Sequence, residues 1–361
     1  MKTTILSLLL FGLGIFQPVE PYISSKDYSV EAFHRGKQSS KSPKRVYIQK
    51  FRALFEVYEE ASASTAGSKN DRANRTTTVS GTKTSMGVQL SGVDIPDFQK
   101  IVDEAYADFV AQLEADGFEI ITAEEAGKTD YYSGYTKIQG GASSTDQATG
   151  YVMVTPTGYD YWVKAVSNSG SEKGTFTDTS SKLSKDLDDA YVAEATFVFP
   201  FVNLDASSTS FANYASSKVK ADINLRLAAA VGTLDNEQMS LGKFAKGFTT
   251  SPTQGRLASQ VRFVAGHMAS SPLFDSTTGI KRDVYFEGIF SDTKLVEVTS
   301  AEVATFSKTE YPQLVMVSGG EMNLASHYVA CDRDKYIDSA KGSIKEMVES
   351  GISNFKNLIS E

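Results

Sequence analysis

Three histidines and one cysteine are the residues of this chain best suited to metal binding or nucleophilic catalysis, and none has the spacing either chemistry needs. His34, His267 and His327 each stand alone. A zinc site needs closely spaced His and Cys ligands, as in H-E-x-x-H, and no such cluster exists. Cys331 ends the apolar stretch of "HYVACDRDKY". A nucleophilic thiol needs a base held beside it, and a buried structural thiol is the simpler reading.

The Asp-rich pieces are "DLDDA" (Asp186, Asp188, Asp189) and "DRDK" (Asp332, Arg333, Asp334). Neither has the alternating acids, central Gly and distal Glu of a calcium loop, so solvated turns or helix starts explain both. "SGGEMN" at 318–323 lacks the glycine frame and the lysine of a phosphate cradle. No G-x-S-x-G nucleophile elbow occurs. "GYDYWVKA" carries the only tryptophan, Trp162, among alternating aromatics, and packing is favoured over a ligand platform. The expectation is a chain that is not an enzyme, with no catalytic, cofactor-binding or metal residues and no cofactor.

The elements that would position any site begin with the amino-terminal segment. "MKTTILSLLLFGLGIFQ" has Lys2 and then an apolar run from Ile5 to Phe16. That length suits the apolar region of a secretory signal and is too short to span a bilayer. Residues 1–17 are read as a signal peptide, and the protein as exported to periplasm, outer membrane or medium. Net charge is −8 over 361 residues, which argues against nucleic acid as a partner. Residues 26–50 are locally basic, and residues 18–45 are read as a basic flexible linker. A single cysteine excludes intramolecular disulfides, so stability must come from the core.

Order is expected from Val46. "RVYIQKFRALFEVYEE" alternates Phe51, Ala53, Phe55 and Val57 with Arg52, Leu54, Glu56 and Tyr58, a strand pattern. "ASASTAGSKNDRANRTTTVSG" reads as a loop and contains the sequon Asn74-Arg75-Thr76. "KTSMGVQLSGV" reads as a second strand. Asp94 is a candidate N-cap, with Pro96 in the first turn and Asp97 three residues on. Phe98, Ile101, Val102, Ala105, Phe109 and Leu113 then recur at helical spacing. Gly117 closes the helix, and "FEIIT" follows as a buried strand. Residues 46–130 therefore form a β-α-β module.

Residues 131–361 read as a β-rich region with a C-terminal helix, continuous with that module as one domain. "YVMVTPTGYDYWVKAVS" suggests a hairpin turning near Pro156–Gly158. "AYVAEATFVFPFVNL" and "SKVKADINLRLAAAVG" suggest long strands, and "SQVRFVAGHM", "RDVYFEGIFSD", "LVEVTSAEVATF" and "YPQLVMVSG" shorter ones. At the end, Ile337, Ala340, Ile344, Met347, Val348, Gly351 and Phe355 share one helical face, and Asp332 or Asp334 can cap it. The predicted class is α+β, with the module on a mostly antiparallel sheet.

"VYIQKFRALFEV", "AYADFVAQLEADGFEIIT" and "AYVAEATFVFPFVNLDASS", in that order, resemble the TolB N-terminal-like module of curli-secretion-channel (CsgG-like) envelope proteins. Gly117-Phe118-Glu119-Ile120-Ile121 is similar to that family's glycine-to-strand step. Ala221, Asp222, Ile223, Leu225, Arg226 and Leu227 are similar to a later strand. The resemblance implies an exported envelope protein. No cysteine follows the leader, so a lipid anchor is not inferred, and no site residue carries over. The leading expectation is a non-enzymatic assembly or binding role, with self-association or a protein partner. An outer-membrane pore or secretion-channel-like assembly, with membrane association, is the first alternative; a secreted carboxylate-based hydrolase is the second.

Overall fold

The structure is a computed structural model and describes residues 20–34, 42–64, 68–72, 75–79, 82–173, 178–211, 214–230, 258–266, 272–291, 293, 296–299 and 327–360. Its first strands are β1 (Tyr28–His34), β2 (Arg45–Glu56), β3 (Tyr58–Ser64), β4 (Ser68–Arg72), β5 (Arg75–Val79) and β6 (Lys83–Ser91). Helix α1 (Ile95–Ala115), β7 (Glu119–Ile121) and the single turn α2 (Ala123–Ala126) follow. Then come β8 (Thr136–Gln139), β9 (Tyr151–Val154), β10 (Asp160–Val163), the ribbon β11 (Ala165–Val166) and β12 (Glu172–Lys173), and α3 (Ser180–Asp186). Two long strands, β13 (Tyr191–Phe199) and β14 (Val202–Phe211), lead to β15 (Tyr214–Ile223) and β16 (Arg226–Leu227). The remainder is β17 (Gln260–Ala265), β18 (Phe274–Ile280), β19 (Val284–Tyr285), β20 (Val296–Thr299), β21 (His327–Ala330) and α4 (Arg333–Ser360).

The parallel neighbours β2 and β13 form the centre of a mixed sheet in the order β1-β18-β17-β13-β2-β7. β9 pairs antiparallel with the far end of β2. The fold is α+β, most other ladders are antiparallel, and the chain ends in helix α4.

Local chemistry explains α1. Asp94 and Asp97 form a reciprocal capping box, with each carboxylate accepting the other's backbone N–H. Phe98, Ile101, Val102, Ala105, Phe109 and Leu113 are all buried, as their spacing predicts. Gly117 ends the helix at φ +82°, where a Cβ is disfavoured. α1 and α4 lie side by side on one face of the sheet. Asp332 Oδ1 accepts the Lys335 N–H at the start of α4 (3.2 Å). At Gly351 a Cβ would come within 2.7 Å of Val261, so glycine lets the helix sit directly on β17. Phe355 stacks on Phe263 (4.1 Å) and meets Phe118, Tyr191 and Phe274 edge-on or tilted.

The opposite face carries Tyr47, Val192, Leu183, Leu187, Tyr131 and Tyr132 in one cluster and Leu54, Ala148, Met153, Val198 and Ala228 in another. The sheet is therefore covered on both sides. This is why Leu54 and Glu56 are as buried as Phe55, although they occupy the polar positions of the sequence alternation.

Several sequence expectations are corrected. Within the expected linker, residues 28–34 form β1, an edge strand fully paired with β18. Its partner lies about 245 positions away, beyond the reach of local pattern. The expected loop at 61–81 contains the end of β3 and the paired strands β4 and β5, while the strand expected in "KTSMGVQLSGV" is β6. The turn at Pro156–Gly158 exists, with Gly158 at φ +76°. Yet β9 and β10 do not pair with each other: β9 joins β2 and β10 joins β8. In "RDVYFEGIFSD" only Val284–Tyr285 is a strand, paired with β16. The signal segment 1–17, Asn74, His267, "YPQLVMVSG" and "SGGEMN" lie outside the described residues.

Candidate assembly site at the joint of two hairpins

Two hairpins leave the same end of the main sheet because β2 and β13 run parallel and adjacent. β2 continues past Glu56 into β3, and β13 continues past Pro200 into β14. β3 pairs with β6 from Tyr58↔Gln89 to Ser64↔Lys83, and β4 with β5 from Ser68↔Val79 to Arg72↔Arg75, in one common register. β14 and β15 pair over ten positions, from Val202↔Ile223 to Phe211↔Tyr214. At about 3.4 Å per residue each arm of this second hairpin is about 34 Å long.

The hairpins stack face to face. Met86, Val88 and Leu90 are buried with Val219, Ala221 and Ile223 between them, and Thr84 Oγ1 hydrogen-bonds Ser217 Oγ (2.7 Å). Along β14–β15 one face is apolar or small, with Val202, Leu204, Ala206, Val219, Ala221 and Ile223. The other carries Asn203, Asp205, Lys218, Lys220 and Asp222. Among the described residues β3 and β14 each have a strand partner on one side only.

The joint itself is tightly specified. Val57 and Tyr58 both donate their N–H to the Gly150 carbonyl (2.8 and 3.1 Å). Gly150 has φ +79°, and a Cβ there would meet the Tyr58 carbonyl at 2.0 Å. Glu56 Oε2 accepts the N–H groups of Phe201 (2.8 Å) and Val202 (3.2 Å), so the last residue of β2 fastens the first residues of the other hairpin. Arg226 donates to the Val202 carbonyl (3.1 Å) and pairs with Asp283 (3.1 Å). Asp283 also accepts the Ala229 N–H (2.8 Å). A small polar cavity of about 140 Å³, lined by Asn203, Asp222, Asn224, Arg226, Asp283 and Tyr285, brings solvent to the outer side of Arg226.

Burial pushes the Glu56 carboxyl up to about 7, against the two backbone N–H groups, the Arg226 charge and the Tyr151 hydroxyl. Burial and the Glu56 charge together push Glu59 up to about 8, against Arg226 and the Leu204 N–H. Two carboxyls thus share a desolvated site beside one guanidinium.

The residues singled out in the sequence are scattered. His34 lies in β1 and His327 in β21. Burial pushes the Cys331 thiol up to about 11, with Asp332 and Asp97 adding to the shift, so a thiolate is disfavoured. Asp188 and Asp189 occupy the left-handed region (φ 59° and 64°) in the turn before β13. Arg333 pairs with Asp97 (2.6 Å) and ties α4 to the start of α1. Trp162 donates to the Ala123 carbonyl (2.9 Å), stacks on Tyr132 (5.6 Å) and packs over Gly127, so it is a structural wedge. Among the described residues no three His, Cys, Asp or Glu side chains gather as a metal cluster. No described helix is long and apolar enough to cross a membrane, which does not bear on strands.

Sequence reasoning missed two charged clusters. One is the joint, where Glu56 and Glu59 look like ordinary polar alternation. The other centres on Arg262, which is 4% exposed; it pairs with Asp275 (2.5 Å) and Asp178 (2.6 Å) and lies 3.9 Å from Glu194. A charged residue inside the otherwise apolar "VRFVA" was the available signal.

No family model matches the chain, and no curated protein or solved structure matches it.

Proposed function

We propose that this is an exported, non-enzymatic envelope protein that works by assembly, with the two stacked hairpins as the assembling surface and further copies of the chain as the partner. The observation that carries this reading is β14, a ten-residue strand that is laddered on one side only and lies beside β3 at its base, leaving Asp205–Ser208 exposed. An edge strand is a template for pairing, and its exposed stretch from Asp205 to Ser208 has neither the Lys nor the Pro that blunts such edges. A two-stranded hairpin is marginal in water without further strands or packing, so the outer pair β4–β5 gains most from a neighbour. The apolar run Ile5–Phe16 supports export, and the resemblance to curli-secretion-channel proteins supports an envelope role.

Sedimentation velocity of the mature chain tests the proposal. The expected result is a multimer that Ser207→Glu weakens. Ser207 lies opposite Lys218, so the variant keeps the β14–β15 pair and charges only the edge. A monomer at tens of micromolar would refute self-assembly.

A second reading, insertion of β14–β15 into a membrane, is favoured by one observation. The ten-residue strands match the length of membrane strands, and their apolar and charged faces alternate with period two. Dye release from liposomes by wild type is its expected result, and intact liposomes would refute it.

A further inference from the structure

The Glu56–Glu59 pair sits where both hairpins join the body, and its contacts divide between them. Glu56 belongs to β2, yet its Oε2 holds the first two N–H groups of the β13–β14 connection. Glu59 belongs to the first hairpin and faces Leu204 of the second. The groups facing the pair come from every neighbouring element: Tyr151 from β9, Arg226 from β16 with its partner Asp283, and Tyr336 from α4. Arg226 is the only cation among them, and it already pairs with Asp283. With both glutamates ionised the joint holds three carboxylates against one guanidinium.

We propose that this carboxyl pair is a proton-operated latch: protonated, it fastens the second hairpin to the first and to the sheet; deprotonated, it lets the second hairpin swing away.

Opening returns both carboxyls to water, where they ionise at about 4.5. The closed joint therefore holds protons that the open one releases. Closure is strongest below about 4.5 and weakens as pH rises through about 7 to 8. Mildly acidic surroundings store the hairpins, and neutral to alkaline surroundings release the apolar face of β14–β15. The inference concerns the same hairpins as the proposed assembly but does not rest on it, because its test reads opening in the monomer or the multimer alike.

The test is hydrogen exchange of the full mature chain between pH 5 and 8.5, with protection factors corrected for the intrinsic pH dependence of exchange. Each released proton changes protection by at most about tenfold per pH unit. The amides of β14 and β15 should lose protection by up to that slope between about pH 5 and 7, while α1 keeps its own. Glu56→Gln retains an acceptor for the Phe201 and Val202 N–H groups, and Glu59→Gln removes the second charge; each should flatten the profile. A flat wild-type profile, an equal loss in α1, or an unchanged profile in Glu59→Gln overturns the latch. If Glu56→Gln does not fold, the wild-type and Glu59→Gln exchange profiles decide, and ¹³C titration of the wild-type carboxyls with both midpoints near 4.5 overturns the latch.

Discussion

Replacing Arg262 by methionine should destabilise the protein by about 3–5 kcal/mol at pH 7, the range for removing one partner of a buried ionic cluster. The side chain is 5% exposed, and its removal leaves Asp275 and Asp178, whose side chains are only 21% and 28% exposed, without their guanidinium, while Glu194 keeps Lys50 (3.3 Å). Methionine fills most of the volume, so the loss is mainly electrostatic. The pH dependence identifies the cause. In the wild type, burial opposes ionisation of Asp178, but Arg262 and the Ser180 N–H hold it below the usual carboxylate range. It therefore contributes stability above its unfolded value, lost only as pH falls through the lower folded one. Without Arg262 burial is the largest influence left on Asp178, which then binds its proton more tightly folded than unfolded, and the variant recovers stability as pH falls from 7 to 5. Urea unfolding at both pH values measures this. Adding Asp275→Asn should recover about 1 kcal/mol or more of the loss, because the two sites are coupled. A deficit under about 1 kcal/mol at pH 7, or one equal at pH 5, would refute the electrostatic account.

Phe355→Ala should cost about 3–5 kcal/mol in the same assay, because the ring is fully buried among four aromatics; a loss under about 1 kcal/mol would mean that α4 does not anchor the sheet. Gly150→Ala should destabilise by more than about 1 kcal/mol, through both its positive φ and the Tyr58 carbonyl, and hydrogen exchange should place the damage at β2–β3 rather than α1. Glu56→Gln should remove about 3 kcal/mol of the stability that wild type loses between pH 4.5 and 8, at about 1.4 kcal/mol per pKa unit for a carboxyl raised from 4.5 to about 7. Parallel unfolding curves for wild type and variant across that range would contradict it.

The module from β2 to β7 was legible because its signals are local. Asp94, Asp97 and Gly117 mark the ends of α1, and the three-four spacing of its apolar residues matches the side buried against the sheet. The C-terminal helix was legible for the same reason, although Ile337 turns out only partly buried. Within the module, β3 beyond Tyr58, β4 and β5 were not. Their Ser, Thr, Ala and Asn residues resemble a loop, and what holds β3 to β6 is a register shared across the turn and the stacking of the second hairpin. β1 depends on β18, far along the chain, and β9 chooses β2 over its neighbour β10 for a similar nonlocal reason. The joint was hidden most deeply. Glu56 follows the solvent-facing rhythm of its strand, and only coverage of the second face makes that position an interior one.

That coverage also explains why charge gathers at the joint. A parallel pair of strands finishes with both chains leaving the same end of the sheet, and each must turn away without ladder partners for its first backbone groups. Pro200 removes one donor from this problem, since it has no N–H. The next two, on Phe201 and Val202, are buried and need an acceptor. β2 supplies it through the Glu56 side chain, because its own backbone is committed to β9 and β13. A carboxyl serves two donors at once but is desolvated there, which raises its proton affinity. The demand that two hairpins spring from neighbouring parallel strands thus places a titratable group at their common root. The carboxyl that satisfies the backbone is also the group whose burial makes the hairpins sensitive to pH.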